Sequence, residues 1–256
     1  MSLFSLTGLT VDVPGRRLLD GLTLDVPKGQ LIALIGHNGS GKSTLLKTLA
    51  RQIAPSGGAI RFDGRPIGAW AARDHARRLA FMPQTTPPAD GMTVAELVAL
   101  GRYPWHGALG RFGPDDARAV DRALAECGVA ALAERLVDTL SGGERQRAWL
   151  AMMVAQGAET LLLDEPISAL DISHAVEVMS LVRDMCHSQR RSALVVLHDV
   201  NMAARYADHV IALRRGQVVM QGPPSDLMQP RMLEQIYGLP MQVMLRPDGT
   251  PVAVPA

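Results

Sequence analysis

The chain has 256 residues, 47% of them hydrophobic and 20% charged, enough apolar material for a sizeable core and too ordinary a balance for wholesale disorder. Lys and Arg total 26 against 25 Asp and Glu, a net charge of +1, so overall charge gives no argument for a nucleic-acid partner. Cys127 and Cys186 alone exclude a disulfide framework, Met1–Thr10 lacks a signal-peptide pattern, and the longest uncharged apolar stretches, such as Ala148–Ala158, fall short of the ~18–20 residues of a membrane helix.

Taken in chain order, Phe4–Val13 alternates apolar and polar residues, as a half-buried strand does, and Leu22–Val26 continues the pattern before Pro27 and Gly29. Leu31–Ile35 is wholly apolar, which suits a strand buried on both faces. A glycine-rich turn follows, then a helix over Ser43–Ile53, with Leu45, Leu46 and Leu49 on one side. Ala59–Asp63 and Leu79–Met82 read as strands. Between Pro87 and Gly157 the spacing turns helical, at Val94–Leu100, Pro114–Cys127 and Glu144–Gln156. Strands resume at Thr160–Asp164 and Ala193–Leu197, separated by a helix over Ile172–His187 that places Ala175, Met179, Val182 and Cys186 on one side. Asp208–Leu213 and Gln217–Gln221 precede a short helical and β tail. Alternating strands and helices with apolar strands predict an α/β core around a parallel sheet, with the helical block inserted into it.

Gly36-His37-Asn38-Gly39-Ser40-Gly41-Lys42-Ser43 matches the phosphate-loop pattern G-x-x-x-x-G-K-[ST], set between an apolar strand and an amphipathic helix. Glycines let the backbone wrap a phosphate chain, and the helix start adds its dipole. Lys42, one of only three lysines, is placed to reach the β and γ phosphates, and the Ser43 hydroxyl to ligate Mg²⁺. Leu161-Leu162-Leu163 ends in Asp164-Glu165 at the sheet edge where open α/β folds bind ligands. Asp164 is placed to hold Mg²⁺ through water, and Glu165 to orient or deprotonate an attacking water. Gln84 and His198 end two further strands at the same edge, where Gln84 could touch Mg²⁺ or the water and His198 the γ phosphate. Ser141 caps a helix with Glu144 three residues on, and Gly142-Gly143 expose backbone N–H groups suited to a second phosphate.

With these motifs in this order the chain resembles the ATP-binding-cassette ATPases over nearly its whole length: phosphate loop at Gly36–Thr44, Gln84, signature Leu140–Glu144, Leu161–Glu165, the Ser168–Asp171 loop and His198. The resemblance implies a P-loop NTPase fold, an α/β core with a mixed sheet and an inserted helical subdomain. It implies one ATP-binding domain over 1–256, with 1–86 and 158–215 as catalytic core, 87–157 as helical subdomain and 216–256 as tail. It also implies ATP and Mg²⁺ as ligands, and a head-to-tail homodimer. Each ATP would lie between residues 36–44 of one copy and Ser141, Gly142 and Gly143 of the other, with Asp171 at the seam. The family's adenine-stacking aromatic is missing. Val13 stands at its place, so adenine recognition would be weaker or borrowed from Arg16 or Arg17.

With a single cassette, no long insertion and no span of its own, the chain is expected to sit at the cytoplasmic face of the cell membrane beneath an integral permease. Gly91–Val98 and Gly101–His106 resemble the importers of iron–siderophores, haem and cobalamin, and Gly107–Phe112 with Ile236–Met241 the ferric hydroxamate type. The resemblance implies indirect work with a periplasmic or surface siderophore-binding protein; haem or cobalamin import is the alternative, and a soluble nucleic-acid ATPase a weaker one. Coupling to the permease is expected between Gln84 and Arg111, where Tyr103, Trp105 and Phe112 stand close together in a chain with only 4% aromatics. Arg73–Arg78 reads as a solvated helix face.

Overall fold

The computed structural model describes residues 2–107 and 110–256; Ala108 and Leu109, within the Gly107–Phe112 run, lie outside the described residues. The first part of the chain holds β1 (Ser2–Val13), β2 (Arg16–Pro27), β3 (Leu31–Ile35), α1 (Lys42–Leu49), β4 (Gly57–Phe62), β5 (Arg65–Pro66), α2 (Ala72–Arg78) and β6 (Leu79–Met82). Helices α3 (Val94–Leu100), α4 (Tyr103–His106), α5 (Pro114–Glu126) and α6 (Gly142–Ala155) follow. Then come β7 (Thr160–Leu163), α7 (Ile172–Gln189), β8 (Ser192–Val196), α8 (Val200–Tyr206), β9 (His209–Arg214) and β10 (Gln217–Gly222). Short helices α9 (Pro224–Leu227) and α10 (Pro230–Tyr237) lead to a hairpin of β11 (Met241–Leu245) and β12 (Pro251–Pro255).

A six-stranded sheet of order β10-β9-β3-β8-β7-β6 is parallel except at β10, which pairs antiparallel with β9, so the sheet extends past residue 215. Every strand of its middle splits its side chains between two cores. Leu31, Ala33 and Ile35 pack with α6, α7 and α8, while Ile32 and Leu34 pack with α1 and the other sheet. That second sheet is antiparallel, of order β2-β1-β4-β5, and lies on the α1 side. Alternation in β1 and β2 predicts strands but not this separation; β1 and β2 are joined by the tight Pro14-Gly15 turn and pair with each other and with β4 rather than with β3. Both thiols are buried, and burial pushes each up to about 12, which leaves them inert.

Several boundaries differ from the sequence reading for local reasons. The helix expected over Ser43–Ile53 stops at Leu49, because Arg51 takes φ +61°, which a right-handed helix cannot continue. The strand read as Leu22–Val26 runs from Arg16, since its polar start is an exposed hairpin arm. Unforeseen α8 begins where the Asp199 carboxylate accepts from the N–H groups of Asn201 (2.7 Å) and Met202 (3.3 Å). Asn201 then tethers the tail, its side chain exchanging hydrogen bonds with the backbone of Ala253 at 3.1 and 2.8 Å. Among the described residues, no helix is long and apolar enough to cross a membrane.

Candidate functional site

The turn between β3 and α1 is forced by its glycines. A Cβ on Gly36 (φ +143°) would lie 2.1 Å from the Leu213 carbonyl oxygen, and one on Gly41 (φ +106°) would lie 2.7 Å from Leu19 Cδ2. The loop is also bonded from behind: Gly216 N–H donates to the Ser40 carbonyl (3.0 Å), and Asp20 N–H donates to the Gly216 carbonyl (2.9 Å). Gly216 itself (φ +77°) leaves no room, since a Cβ there would meet the Leu18 carbonyl oxygen at 2.7 Å. Asn38, Gly39, Gly41, Lys42, Ser43 and Thr44 face a cleft of about 370 Å³. Gly36, His37 and Ser40 shape the loop without lining that cleft.

Lys42 is 5% exposed, and its ammonium donates to the carbonyls of Gly36 (2.8 Å) and His37 (3.2 Å). Burial pulls it below the ordinary lysine value, and the nearby charges of Glu165 and Asp164 act against that. Ser43 donates its hydroxyl to Asp164 Oδ1 at 2.9 Å. Asp164 is 1% exposed, and burial raises its carboxyl above the ordinary aspartate range despite the Ser43 bond. A hydroxyl and a carboxylate oxygen so placed fit Mg²⁺, a hard cation that prefers oxygen ligands and keeps several waters.

Across the cleft, Glu165 is held from two sides. His198 Nε2 lies 2.6 Å from Glu165 Oε1, and Gln84 Nε2 donates to Glu165 Oε2 at 2.7 Å. Glu165 has φ +55°, a left-handed conformation that costs a non-glycine residue about 1 kcal/mol and turns its carboxylate out of the strand direction. The three residues thus meet although they leave different strands, because β6, β7 and β8 are parallel neighbours ending at one edge. Arg16 and Leu18 also line the cleft, with the Arg16 guanidinium 3.6 Å from where a Cβ on Gly39 would lie. Of the two arginines considered for adenine, Arg17 is engaged with Asp12 (2.9 Å) and Asp20 (3.0 Å). Val13 does not line the cleft but pairs across the hairpin with Arg16.

Ser141, Gly142 and Gly143 do not line this cleft in the same chain. Ser141 Oγ accepts from Glu144 N–H (3.3 Å), and Glu144 Oε2 accepts from Ser141 N–H (2.9 Å), the capping box expected from sequence. The aromatic segment is more firmly seated than a free surface loop. Trp105 donates its indole N–H to the Gln156 carbonyl (2.8 Å), and the guanidinium groups of Arg77 and Arg102 each lie 4.7 Å from its ring centre. Tyr103 and Phe112 are exposed. Arg73, Asp74 and Arg78 are exposed, as expected of a solvated face, but Arg73 and Arg77 also donate to the Pro104 carbonyl, at 2.8 and 3.0 Å, and His75 is buried with its pKa lowered to about 4 by desolvation and the nearby Arg51. Arg73 and Arg77 reach along the surface to α4, a helix the sequence does not announce, whose carbonyls are uncapped.

The chain matches the family described as ABC transporter over residues 19–168. It belongs to that family. This ABC transporter chain is 44% identical to the ferric enterobactin transport ATP-binding protein FepC of Escherichia coli (strain K12), over 89% of this chain and 84% of that one. It is 40% identical to the iron(3+)-hydroxamate import ATP-binding protein FhuC of Bacillus subtilis (strain 168), over 96% and 92%. Its fold superposes with a TM-score of 0.87 on a solved chain described as a metal-chelate type ABC transporter in an inward-facing conformation, at 26% identity and covering 100% of this chain and 98% of that one. The fold is the ABC ATPase fold, and the chain is an ATPase of this family.

Proposed function

We propose that this ABC ATPase powers import of ferric hydroxamate siderophores through a separate integral permease, working as a homodimer on the cytoplasmic side of the membrane. The observation that carries the hydrolytic part is the meeting of Gln84, Glu165 and His198 within 2.7 Å across from Lys42 and the Ser43–Asp164 pair. In this reading the triphosphate of ATP runs along residues 36–44, held by backbone N–H groups and the Lys42 ammonium. Ser43 and Asp164 would hold Mg²⁺, which would supply positive charge to offset that of the triphosphate. Glu165 takes the proton of the attacking water, Gln84 orients that water, and His198 fixes the carboxylate and meets the γ phosphate. The signature turn at Ser141–Gly143 closes over the γ phosphate from a second copy, so ATP joins the two chains and hydrolysis parts them.

The organisation that goes with this reading is the expected core of 1–86 and 158–215, helical subdomain of 87–157 and tail of 216–256, with β10 (Gln217–Gly222), an edge strand of the six-stranded sheet, moved from the tail to the core. The exposed Tyr103, on the short helix that Trp105 anchors, and the exposed Phe112, one residue beyond Arg111, support the Gln84–Arg111 region as the contact with the permease. Cargo rests on the relatives, whose names include ferric enterobactin, iron(3+)-hydroxamate and petrobactin import. A relative named for hemin import, 42% identical over 97% of this chain, keeps haem as a second reading.

Glu165→Gln separates binding from chemistry. The variant is expected to bind ATP and dimerise while turnover falls at least ~100-fold; near-wild-type turnover would refute Glu165 as the base. Uptake of labelled ferric hydroxamate, haem and cobalamin by cells lacking the chain tests cargo. Loss confined to haem or cobalamin would overturn the hydroxamate reading.

A further inference from the structure

Helix α6, which carries the signature turn, and the segment opening α7 lie far apart in sequence, yet they are clasped at two levels. At the upper one, the imidazole of His174 packs against Gly143: a Cβ there would fall 2.3 Å from His174 Cδ2 and 2.6 Å from Cγ. Beside it, a Cβ on Gly142 would lie 3.3 Å from Leu170 Cδ2. One helical turn further, Arg147 is bonded to Glu177 at 2.6 Å, with the arginine side chain only 19% exposed. On its other side the His174 ring is fixed by Asp171, whose two carboxylate oxygens each lie 2.9 Å from Nδ1.

Part of this arrangement is an ordinary helix start, because the Asp171 carboxylate also accepts from the backbone N–H of His174 at 2.9 Å. That backbone bond does not depend on the His174 side chain and is kept in His174→Ala and His174→Phe. The ring does something else: it fills the space that the absent side chain of Gly143 leaves, and it joins the signature turn to the Asp171 loop. We infer that His174 is a positioning residue for ATP hydrolysis, holding Ser141–Gly143 and Asp171 as one surface for presentation to a second copy of the chain. The inference rests on the head-to-tail reading, in which both segments face the partner. His174 does not line the phosphate cleft of its own chain, so its effect belongs to the closed dimer and not to first capture of ATP.

The test compares Glu165→Gln with Glu165→Gln/His174→Ala. ATP affinity is measured on dilute monomer, and ATP-driven dimerisation by light scattering across protein concentration. The expected result is monomer affinity within about twofold, dimerisation weakened about tenfold or more, and, for His174→Ala alone, kcat lowered about tenfold with KM for ATP little changed. His174→Phe keeps a ring over Gly143 but gives Asp171 no donor, so it is expected to recover only part of the dimerisation. The inference is overturned if dimerisation and kcat stay within about twofold of their parents, or if monomer affinity falls in step with turnover, the mark of a general structural loss. Failure of Glu165→Gln itself to dimerise on ATP would overturn the head-to-tail reading, and this inference with it.

Discussion

Two helix starts in this chain present glycine-flanked backbone of the kind that binds phosphate, and they are finished differently. Helix α1 opens at Gly41 in a left-handed conformation with no side-chain cap, so its first-turn N–H groups are supplied no partner by a capping side chain. Helix α6 opens at Ser141 with a complete capping box, so part of that need is met by its own Glu144 and Ser141. Around α1 the loop is locked by Leu213, Gly216 and Leu19 and carries a buried lysine; around α6 Ser141 and Gly142 are exposed. A site that must capture a charged ligand unaided keeps unmet donors and a cation in a rigid frame. If, as proposed, the α6 turn completes another copy's pocket, it can be stable on its own and add a few donors.

That contrast breaks most sharply at Lys42. Lys42→Ala is expected to lower ATP affinity by at least ~100-fold and turnover with it, measured by calorimetry and phosphate release; retained affinity would mean that the backbone alone grips the nucleotide. Ser141→Arg should leave monomer affinity within about twofold and lower turnover nearly as far. Mixing it with the Lys42→Ala chain should restore measurable hydrolysis, because one composite site is then intact, and no recovery would argue against the head-to-tail pairing. Val13→Tyr sharpens the α1 side alone. A ring at that position is expected to tighten ATP binding by ~1–3 kcal/mol, and unchanged or weaker affinity would refute the placement of adenine beside the β1–β2 hairpin.

The smallest effect concerns the carboxylates at the two sites, which are pushed in opposite directions. Burial raises Asp164, whereas hydrogen bonds from Ser141 lower Glu144. A raised carboxyl binds its proton more readily folded than unfolded, so ionised Asp164 costs stability at neutral pH and that cost fades as pH falls through its folded value. Glu144 works with the other sign: its contribution is present above the ordinary glutamate value and is lost as pH falls through the lowered one. Asp164→Asn is therefore expected to raise the melting temperature modestly at pH 7, by an amount that shrinks toward pH 4, while turnover is lost. A lower melting temperature at pH 7 would show that the Ser43 and lysine contacts outweigh the desolvation of the charge.

Much of the core was legible from the chain because fully apolar strands leave few alternatives: Leu31–Ile35 and Leu79–Met82 match their strands, and Val94–Leu100 its helix. Side chains at strand ends were legible too, since parallel neighbours must deliver Gln84, Asp164, Glu165 and His198 to one edge. What local pattern could not carry was pairing between distant segments. Nothing in Arg73–Arg78 announces that its arginines will satisfy the carbonyls of Pro104 and Trp105, a contact that makes a face still largely exposed a brace as well. Leu18 lines the cleft only because Gly216 and Ser40 pull the hairpin arm onto the loop, a contact with no local signal. His174 carries no signal in its own neighbourhood: the partner that gives it meaning, Gly143, comes from another part of the chain.

The turn between β9 and β10 carries a consequence for how this protein tolerates change. Arg215-Gly216 is the tip of an antiparallel hairpin, a place where extra residues are ordinarily accepted without harm. Here Gly216 bonds the phosphate loop with its N–H and the β2 arm with its carbonyl. An insertion scan across the chain would therefore find, some 175 residues beyond the nucleotide motif by the numbering of Gly41 and Gly216, a position that behaves as though it were inside it.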